Sequence, residues 1–153
     1  MRSRTAIWFV CKIKYEKVTE NGTLKKVSET HVVDALSFSE AEKRITENIS
    51  AYISGDYEIV DISIAPFKEI FFADDNMSNK WYKSKLQFIT IDEKTDKEKR
   101  SNSTYLVQAA SLEGARKSID EVMGTKMIDY VIAGVNETNI MDVFEHTDGE
   151  GEG

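Results

Sequence analysis

The sequence predicts an α+β fold of two tandem β-β-α-β repeats, each with antiparallel sheet and one helix packed on a sheet face. Three observations lead to this prediction. Three blocks of sequence recur in the same order 73 or 74 residues apart, each copy has stretches in which apolar and polar residues alternate, and each has one stretch with helical apolar spacing. We expect the repeats to be related by a pseudo-twofold axis and to pack as one body, since about 70 residues supply only a marginal core.

The recurrence extends over most of the chain. WFVCKIKYEK, from Trp8, is followed 73 residues later by WYKSKLQFIT, from Trp81. With one residue inserted, HVVDALSFSEAEKRI returns as YLVQAASLEGARKSI, and DYEIVDISIAPFKEIF returns as DYVIAGVNETNIMDVF. These matches predict a first repeat at 1–73, a linker at 74–80, a second repeat at 81–145 and a disordered acidic tail at 146–153.

Each repeat opens with a predicted β-hairpin. In CKIKYE, from Cys11, apolar and charged residues alternate, which is the period of a half-buried strand. Asn21-Gly22 then favours a tight turn, and KKVSETHVVDA returns as the second strand.

A helix follows each hairpin. Ser37 with Glu40 three residues later is a capping-box pattern. The second copy begins at Ser111 but has Gly114 in place of Glu40, so we expect its first turn to be weaker. Apolar residues at spacings of three and four form one stripe in the first copy: Phe38, Ala41, Ile45, Ile49 and Tyr52.

The last block of each repeat, at 57–72 and again at 129–144, is predicted as a single third strand. It is rich in β-branched and aromatic residues, and Pro66 marks a bend or a sheet edge in the first copy.

Composition excludes several function classes. With 27 acidic against 20 basic residues the net charge is −7, which disfavours sequence-independent binding to nucleic acid. No apolar run is long enough to cross a bilayer, so no membrane association is expected, and no signal peptide is recognised. The single cysteine, Cys11, excludes an internal disulfide framework and is compatible with a reducing compartment, so we expect a cytoplasmic protein.

The residues that carry catalysis are scarce. His31 alternates with apolar residues on the core side of a strand, and His146 lies in the polar tail. Because Cys11 is the sole thiol and Ser84 stands in its place in the second copy, we expect neither a Cys/His nucleophile pair nor a zinc site of the usual spacing, and no phosphate-binding glycine loop is present. We therefore predict a protein that is not an enzyme and that needs no cofactor.

Two groups of residues are candidates for a site. One face of the first strand in each repeat combines an indole with lysines, an arrangement that stacks and neutralises single-stranded nucleic acid, although packing in the core or against the other repeat is the favoured explanation for the tryptophans. This candidate ligand or nucleic-acid face consists of Trp8, Lys12, Lys14, Trp81, Lys83 and Lys85. Separately, Glu69 and Asp142 occupy matching positions and could hold a metal ion as a pair, the alternative being two exposed charges.

The matched blocks resemble a known family. WFVCKIKYEKVTENGTLKKVSETHVVDALSFSEAEKRI, YISGDYEIV, KWYKSKLQFITIDEK and ETNIMDVF are similar to a family of uncharacterised proteins, the domain of unknown function DUF4494, common in Bacteroidetes and in their phages and mobile elements. The resemblance covers nearly the whole chain apart from the acidic tail and implies no catalytic residue, cofactor or partner.

The function predicted from these observations is a non-enzymatic binding or assembly module that acts through exposed sheet faces or edges. Its partner would be another protein or a small ligand between the repeats, and self-association as a homodimer is left open. One alternative is weak binding of single-stranded nucleic acid; another is a small metal-dependent enzyme using Glu69 and Asp142.

Overall fold

The computed structural model describes residues 1–146, which form an α+β fold with two helices and two mixed sheets. Contacts divide the chain into two compact units. The five-stranded unit comprises residues 1–5 and 66–138, and the four-stranded unit comprises residues 6–65 and 139–146. In chain order the elements are β1 (Arg2–Arg4), β2 (Trp8–Val18), β3 (Leu24–Asp34), α1 (Phe38–Ser50), β4 (Tyr57–Ile64), β5 (Phe67–Phe72), β6 (Lys80–Ile91), β7 (Glu98–Ala109), α2 (Leu112–Met123), β8 (Asp129–Glu137) and β9 (Ile140–Phe144).

The four-stranded unit is a sheet of order β4-β2-β3-β9 with α1 on one face. The hairpin of β2 and β3 turns at Gly22, whose φ of 78° is a conformation that glycine adopts at little cost. Alternate residues of β2 point at the helix, and their burial forms the core with the helix stripe. That core contains Phe9, Cys11, Ile13, Val33, Ala35, Ala41, Ile45 and Ile49.

Both helices begin as the sequence predicts. The Ser37 hydroxyl accepts a hydrogen bond from the Glu40 N–H, which satisfies one unpaired donor of the first turn, and the Glu40 carboxylate accepts one from the N–H of Leu36, just before the cap residue. In α2 the Ser111 hydroxyl accepts from the Gly114 N–H, but Gly114 has no side chain with which to complete the exchange.

The five-stranded unit is a sheet of order β1-β5-β7-β6-β8 with α2 on one face. Its core repeats the arrangement of the other unit, since alternate residues of β6 and β7 meet the apolar stripe of the helix. The buried members are Phe71, Tyr82, Leu86, Tyr105, Val107, Ala109, Ala115, Ile119 and Met123.

The prediction of antiparallel sheet is wrong for one strand pair in each unit. β5 pairs with β7 in parallel, and β9 pairs with β3 in parallel, while the remaining pairs are antiparallel. A parallel pair requires a long connection between its strands. The connection from β5 to β7 includes β6, and the connection from β3 to β9 includes every element from α1 to β8.

The predicted third strand of each repeat is in fact two strands that belong to different units. The first block breaks at Pro66, which has no N–H to donate to a ladder, and β4 stays with β2 whereas β5 joins β7. The second block breaks after Thr138, and β9 joins β3. The compact units therefore do not coincide with the predicted repeats at 1–73 and 81–145.

The predicted linker and tail have different outcomes. Residues 74–80 lie inside the five-stranded unit, between β5 and β6. Of the predicted tail, only His146 falls within the described part of the chain, and residues 147–153 lie outside it.

Candidate functional site

The predicted face of tryptophans and lysines is assembled only in part. Trp8 and Trp81 are 1% and 4% exposed, so both indoles are packed in the core and neither is accessible to stack on a base. The four lysines, Lys12, Lys14, Lys83 and Lys85, are exposed.

Trp81 has a structural role within the five-stranded unit. Its ring meets the ring of Phe72 edge to face, with centroids 5.7 Å apart. Its carbonyl oxygen accepts hydrogen bonds of 2.9 Å from both the N–H and the hydroxyl of Thr138. The residue thus fixes the end of β8, the point at which the chain leaves this unit.

The exposed lysines of the four-stranded unit do not form a cationic face. Lys12 lies opposite Asp61 and Lys14 lies opposite Glu58 in the pairing of β2 with β4. Cross-strand neighbours of opposite charge attract each other, so these lysines belong to a mixed surface. In the five-stranded unit Lys83 and Lys85 lie opposite two uncharged residues of β8, Asn136 and Gly134.

Glu69 and Asp142 belong to different units. Glu69 lies opposite Tyr105 in the pairing of β5 with β7, and Asp142 lies opposite His31 in the pairing of β9 with β3. Among residues 1–146 no group of three or more His, Cys, Asp or Glu side chains is arranged to hold a metal ion.

A buried polar cluster surrounds His31 in the four-stranded unit. The imidazole is 0% exposed, and its Nε2 lies 3.0 Å from Glu29 Oε1 and 3.2 Å from the Tyr52 hydroxyl. The Tyr15 hydroxyl donates a 2.5 Å hydrogen bond to the other Glu29 oxygen. An ionised Glu29 only accepts, so Nε2 carries the proton of its bond to Glu29.

Asp142 approaches the opposite nitrogen of the same imidazole. Its Oδ2 lies 3.9 Å from His31 Nδ1, too far for a hydrogen bond, and that nitrogen has no hydrogen-bond partner among residues 1–146. Burial raises the pKa of the Asp142 carboxyl, with a further contribution from Glu29, and the charge of His31 opposes both. The ring of Phe144 stacks on the imidazole with centroids 5.5 Å apart.

The same cluster shifts the ionisation of two tyrosines. The hydrogen bond to Glu29, then burial and the negative charge of Glu29, raise the pKa of Tyr15 to about 12. Burial and the charge of Glu29 raise the pKa of Tyr52. Both phenols therefore stay protonated at neutral pH, and that of Tyr15 donates to Glu29.

Carboxylate, imidazole and phenol could in principle perform acid–base chemistry, but this imidazole is sealed from solvent. The cluster instead fastens β9 to β3, because the ring of Phe144 on β9 stacks on His31 of β3. Sequence reasoning missed the cluster, although a signal was present: Glu29 is a charged residue on the same side of β3 as His31.

Hydrogen bonds of His146 hold the chain in place directly after β9. The His146 N–H donates to Asp34 Oδ1 over 2.9 Å, and the imidazole Nδ1 lies 2.9 Å from the same oxygen. Nε2 of that ring lies 3.0 Å from Asn48 Oδ1 on α1. His146 therefore belongs to the packed four-stranded unit, contrary to its predicted place in a disordered tail.

Cys11 is buried in the core of the four-stranded unit. Burial, followed by the charge of Asp61, raises the pKa of its thiol to about 12. A thiol that stays protonated at neutral pH is a poor nucleophile, so Cys11 acts as a small apolar core residue.

β5 and β9 hold matching positions in the two sheets, but only β5 is paired on both sides among the described residues. Without β1, the five-stranded sheet has the order β5-β7-β6-β8, and the other sheet has the corresponding order β9-β3-β2-β4. β1 pairs antiparallel with β5, whereas no strand within residues 1–146 pairs with the outer side of β9. Met141 is half exposed, and so is the Asp142 side chain.

The two units also differ in charge. Within residues 6–65 and 139–146, seven Lys and Arg stand against twelve Asp and Glu, a net charge of −5. Within residues 1–5 and 66–138, thirteen stand against twelve, a net charge of +1. The acidity of the described chain is therefore concentrated in the unit whose outer strand is uncovered.

Comparison with known proteins identifies a family and nothing beyond it. The family model described as "Domain of unknown function (DUF4494)" matches residues 7–146. No curated protein and no solved structure matches the chain. In the described part of the chain neither helix is long and apolar enough to span a membrane.

Proposed function

Because the chain belongs to the DUF4494 family, whose description assigns no activity, we propose from the structure that it is a non-enzymatic binding module that accepts an extended strand of a protein partner on β9. The observation that carries the proposal is the contrast between β5, which β1 covers, and β9, which occupies the corresponding outer place in the other sheet and has no covering strand among residues 1–146. An outer strand of a sheet is a template for strand addition.

β1 supplies an internal example of how such a strand would pair. It is antiparallel to β5, with Arg2 opposite Phe72 and Arg4 opposite Ile70, and the Arg2 guanidinium lies 4.1 Å from the centre of the Phe72 ring. The residues of β9 that match this part of β5 are Val143 and Phe144.

The negative charge of the four-stranded unit favours a basic partner. The four-stranded unit has a net charge of −5, and the half-exposed carboxylate of Asp142 lies on β9 itself. A basic extended segment, similar in composition to β1, is electrostatically complementary to this strand. A second copy of the chain is a poorer occupant, because antiparallel pairing of two β9 strands about their centres would bring two Asp142 side chains together.

Other observations support the non-enzymatic role, the gene duplication, the location and the origin that we propose. A non-enzymatic role is supported by the sealed imidazole of His31 and by the inert thiol of Cys11. An internal duplication of the gene is supported by the corresponding strand orders of the two sheets. A cytoplasmic location is supported by the free thiol, and an origin in Bacteroidetes or their phages by the sequence resemblance.

The test is a selection of random linear peptides on the full-length protein, followed by amide hydrogen exchange with the enriched peptides bound. We expect enriched peptides to be basic and to slow the exchange of amides in β9 (Ile140–Phe144) and not in β5 (Phe67–Phe72). Asp142→Asn should weaken binding about threefold to tenfold, whereas Glu69→Gln, the matched change on the covered strand, should leave it unchanged.

The proposal fails if enriched peptides protect other amides, or if Glu69→Gln weakens binding as much as Asp142→Asn. A variant that lacks residues 1–4 adds an independent check, because removing β1 uncovers β5. This variant should bind two peptides for each chain, and a stoichiometry of one would contradict the equivalence of the two strands.

A further inference from the structure

The five-stranded unit contains a cavity of about 420 Å³, within the size range of small-molecule sites. Its floor is formed by the buried side chains of Tyr105 and Met123 and by the half-buried ring of Phe88. Three charged side chains also line it, Lys68, Glu69 and Lys126. An apolar floor with few polar groups is the usual composition of a site that orients a small ligand.

The corresponding place in the four-stranded unit is filled by the chain itself. Tyr105 matches His31 in the repeat, and around His31 the Tyr15–Glu29 hydrogen bond and the Tyr52 hydroxyl close the space. In the five-stranded unit Phe88 stands in place of Tyr15 and Ser103 in place of Glu29, so this network has no counterpart.

The segments that follow the two helices also differ between the units. Tyr52 follows α1 and its phenol reaches His31, whereas Thr125 and Lys126 follow α2 and bring no aromatic ring. One unit therefore has a buried carboxylate and a phenol hydroxyl of its own at this place, and the other leaves a cavity open with two lysines beside it.

The side chains of the cavity define a ligand. The rings of Phe88 and Tyr105 meet edge to face with centroids 6.4 Å apart, which offers an aromatic surface. The Lys68 ammonium lies 5.4 Å from the centre of the Phe88 ring, so a positive charge borders that surface. Burial and the charge of Glu69 raise the pKa of Tyr105, and its protonated hydroxyl can donate a hydrogen bond.

We propose that this cavity binds a small aromatic carboxylate, with the ring on Phe88 and Tyr105 and the carboxylate between Lys68 and Lys126. Two ammonium groups against one carboxylate, Glu69, leave the lining positive and favour an anion over a cation. The site is separate from β9, and binding there does not depend on strand addition.

The probe is 4-hydroxybenzoate, titrated into the ¹⁵N-labelled full-length protein while amide chemical shifts are followed by NMR. We expect a dissociation constant of roughly 1 mM or tighter, with the largest shifts at Glu69, Phe88 and Tyr105. The neutral amide 4-hydroxybenzamide and the cation benzylamine should each bind at least tenfold more weakly.

The variant that tests the site is Lys68→Gln with Lys126→Gln, and the matched control is Lys12→Gln with Lys14→Gln, which removes two exposed lysines from the other unit. The cavity variant should lose affinity about tenfold, and the control should bind as wild type. Tyr105→Phe should lose affinity a few-fold with the ring retained. Equal binding of benzylamine, shifts spread over other surfaces, or equal loss in the control variant would each overturn the proposal.

Discussion

His31 in the four-stranded unit and Tyr105 in the five-stranded unit occupy matching places in sequence and strand order, and their surroundings differ. His31 is sealed within a network of Glu29, Tyr15 and Tyr52, whereas Tyr105 lies on the floor of a cavity. The two surroundings show that the same strand order carries a packed polar network in one unit and a cavity in the other.

β5 and β9 each pair with a strand of the other predicted repeat, and this pairing is tested by cutting the chain between the repeats. A specific protease site inserted in the exposed loop at 75–78 allows cleavage of the folded protein. The fragments should still elute together in gel filtration, because β5 remains paired with β7 and β9 with β3. Expressed alone, the fragment 1–73 should be unfolded by circular dichroism, since it lacks β9. Separate elution of the cleaved halves would contradict the strand pairing.

The polar network is tested by Glu29→Ala, which leaves the buried imidazole of His31 without its carboxylate. We expect a loss of about 3 kcal/mol in the free energy of unfolding, because the buried imidazole of His31 and the Tyr15 hydroxyl lose the hydrogen-bond partner that they share. Ser103→Ala, the matched change beside the cavity, should cost less than about 0.5 kcal/mol. Urea unfolding followed by both tryptophan fluorescence and circular dichroism gives the two values, and equal losses would refute the contrast.

The alkaline response of the network is tested by Tyr15→Phe, which reproduces the residue at the matching position 88. The pKa of Tyr15 is raised from about 10 to about 12 in the folded protein, so its stabilisation is complete below pH 10 and is lost as the pH rises through 12. The variant should lose about 1 kcal/mol at neutral pH and show a weaker decline between pH 10 and 12. Identical alkaline profiles would exclude this bond as the source.

The smallest effect is expected from Asp142→Asn. Because the pKa of Asp142 is raised in the folded protein, its contribution to stability is present below the unfolded value of about 3.8 and is lost as the pH rises through the folded value. At pH 7 the substitution should therefore raise the free energy of unfolding by up to about 0.5 kcal/mol, and near pH 3 the two proteins should be equal. A loss of stability at pH 7 would show that the ion pair with His31 dominates.

Local features could be predicted from the sequence. The helices begin at Ser37 and Ser111 because a cap acts within one turn, and the opening hairpins follow from alternation and from the Asn21-Gly22 turn. The partners of β5 and β9 could not be predicted, because a two-residue period identifies a strand without saying which sheet it joins. For the same reason the parallel pairs were missed.

The candidate site was predicted less well than the fold. A tryptophan and a lysine of equal parity lie on one face of a strand, but parity does not show that this face is open, and both indoles are buried. The cavity near Tyr105 depends on the volume of several side chains that are distant in sequence, which no pattern along the chain reports.

The place of β9 in the four-stranded sheet has a consequence for synthesis on the ribosome. This sheet lacks one strand until Phe144 has been made, about 80 residues after β4 ends at Ile64. At roughly 5 to 20 residues per second the delay is about 4 to 16 s. During that interval the nascent chain presents β3 with one side unpaired and with His31 uncovered by Phe144. We therefore expect the nascent chain to need protection by chaperones over the second half of translation.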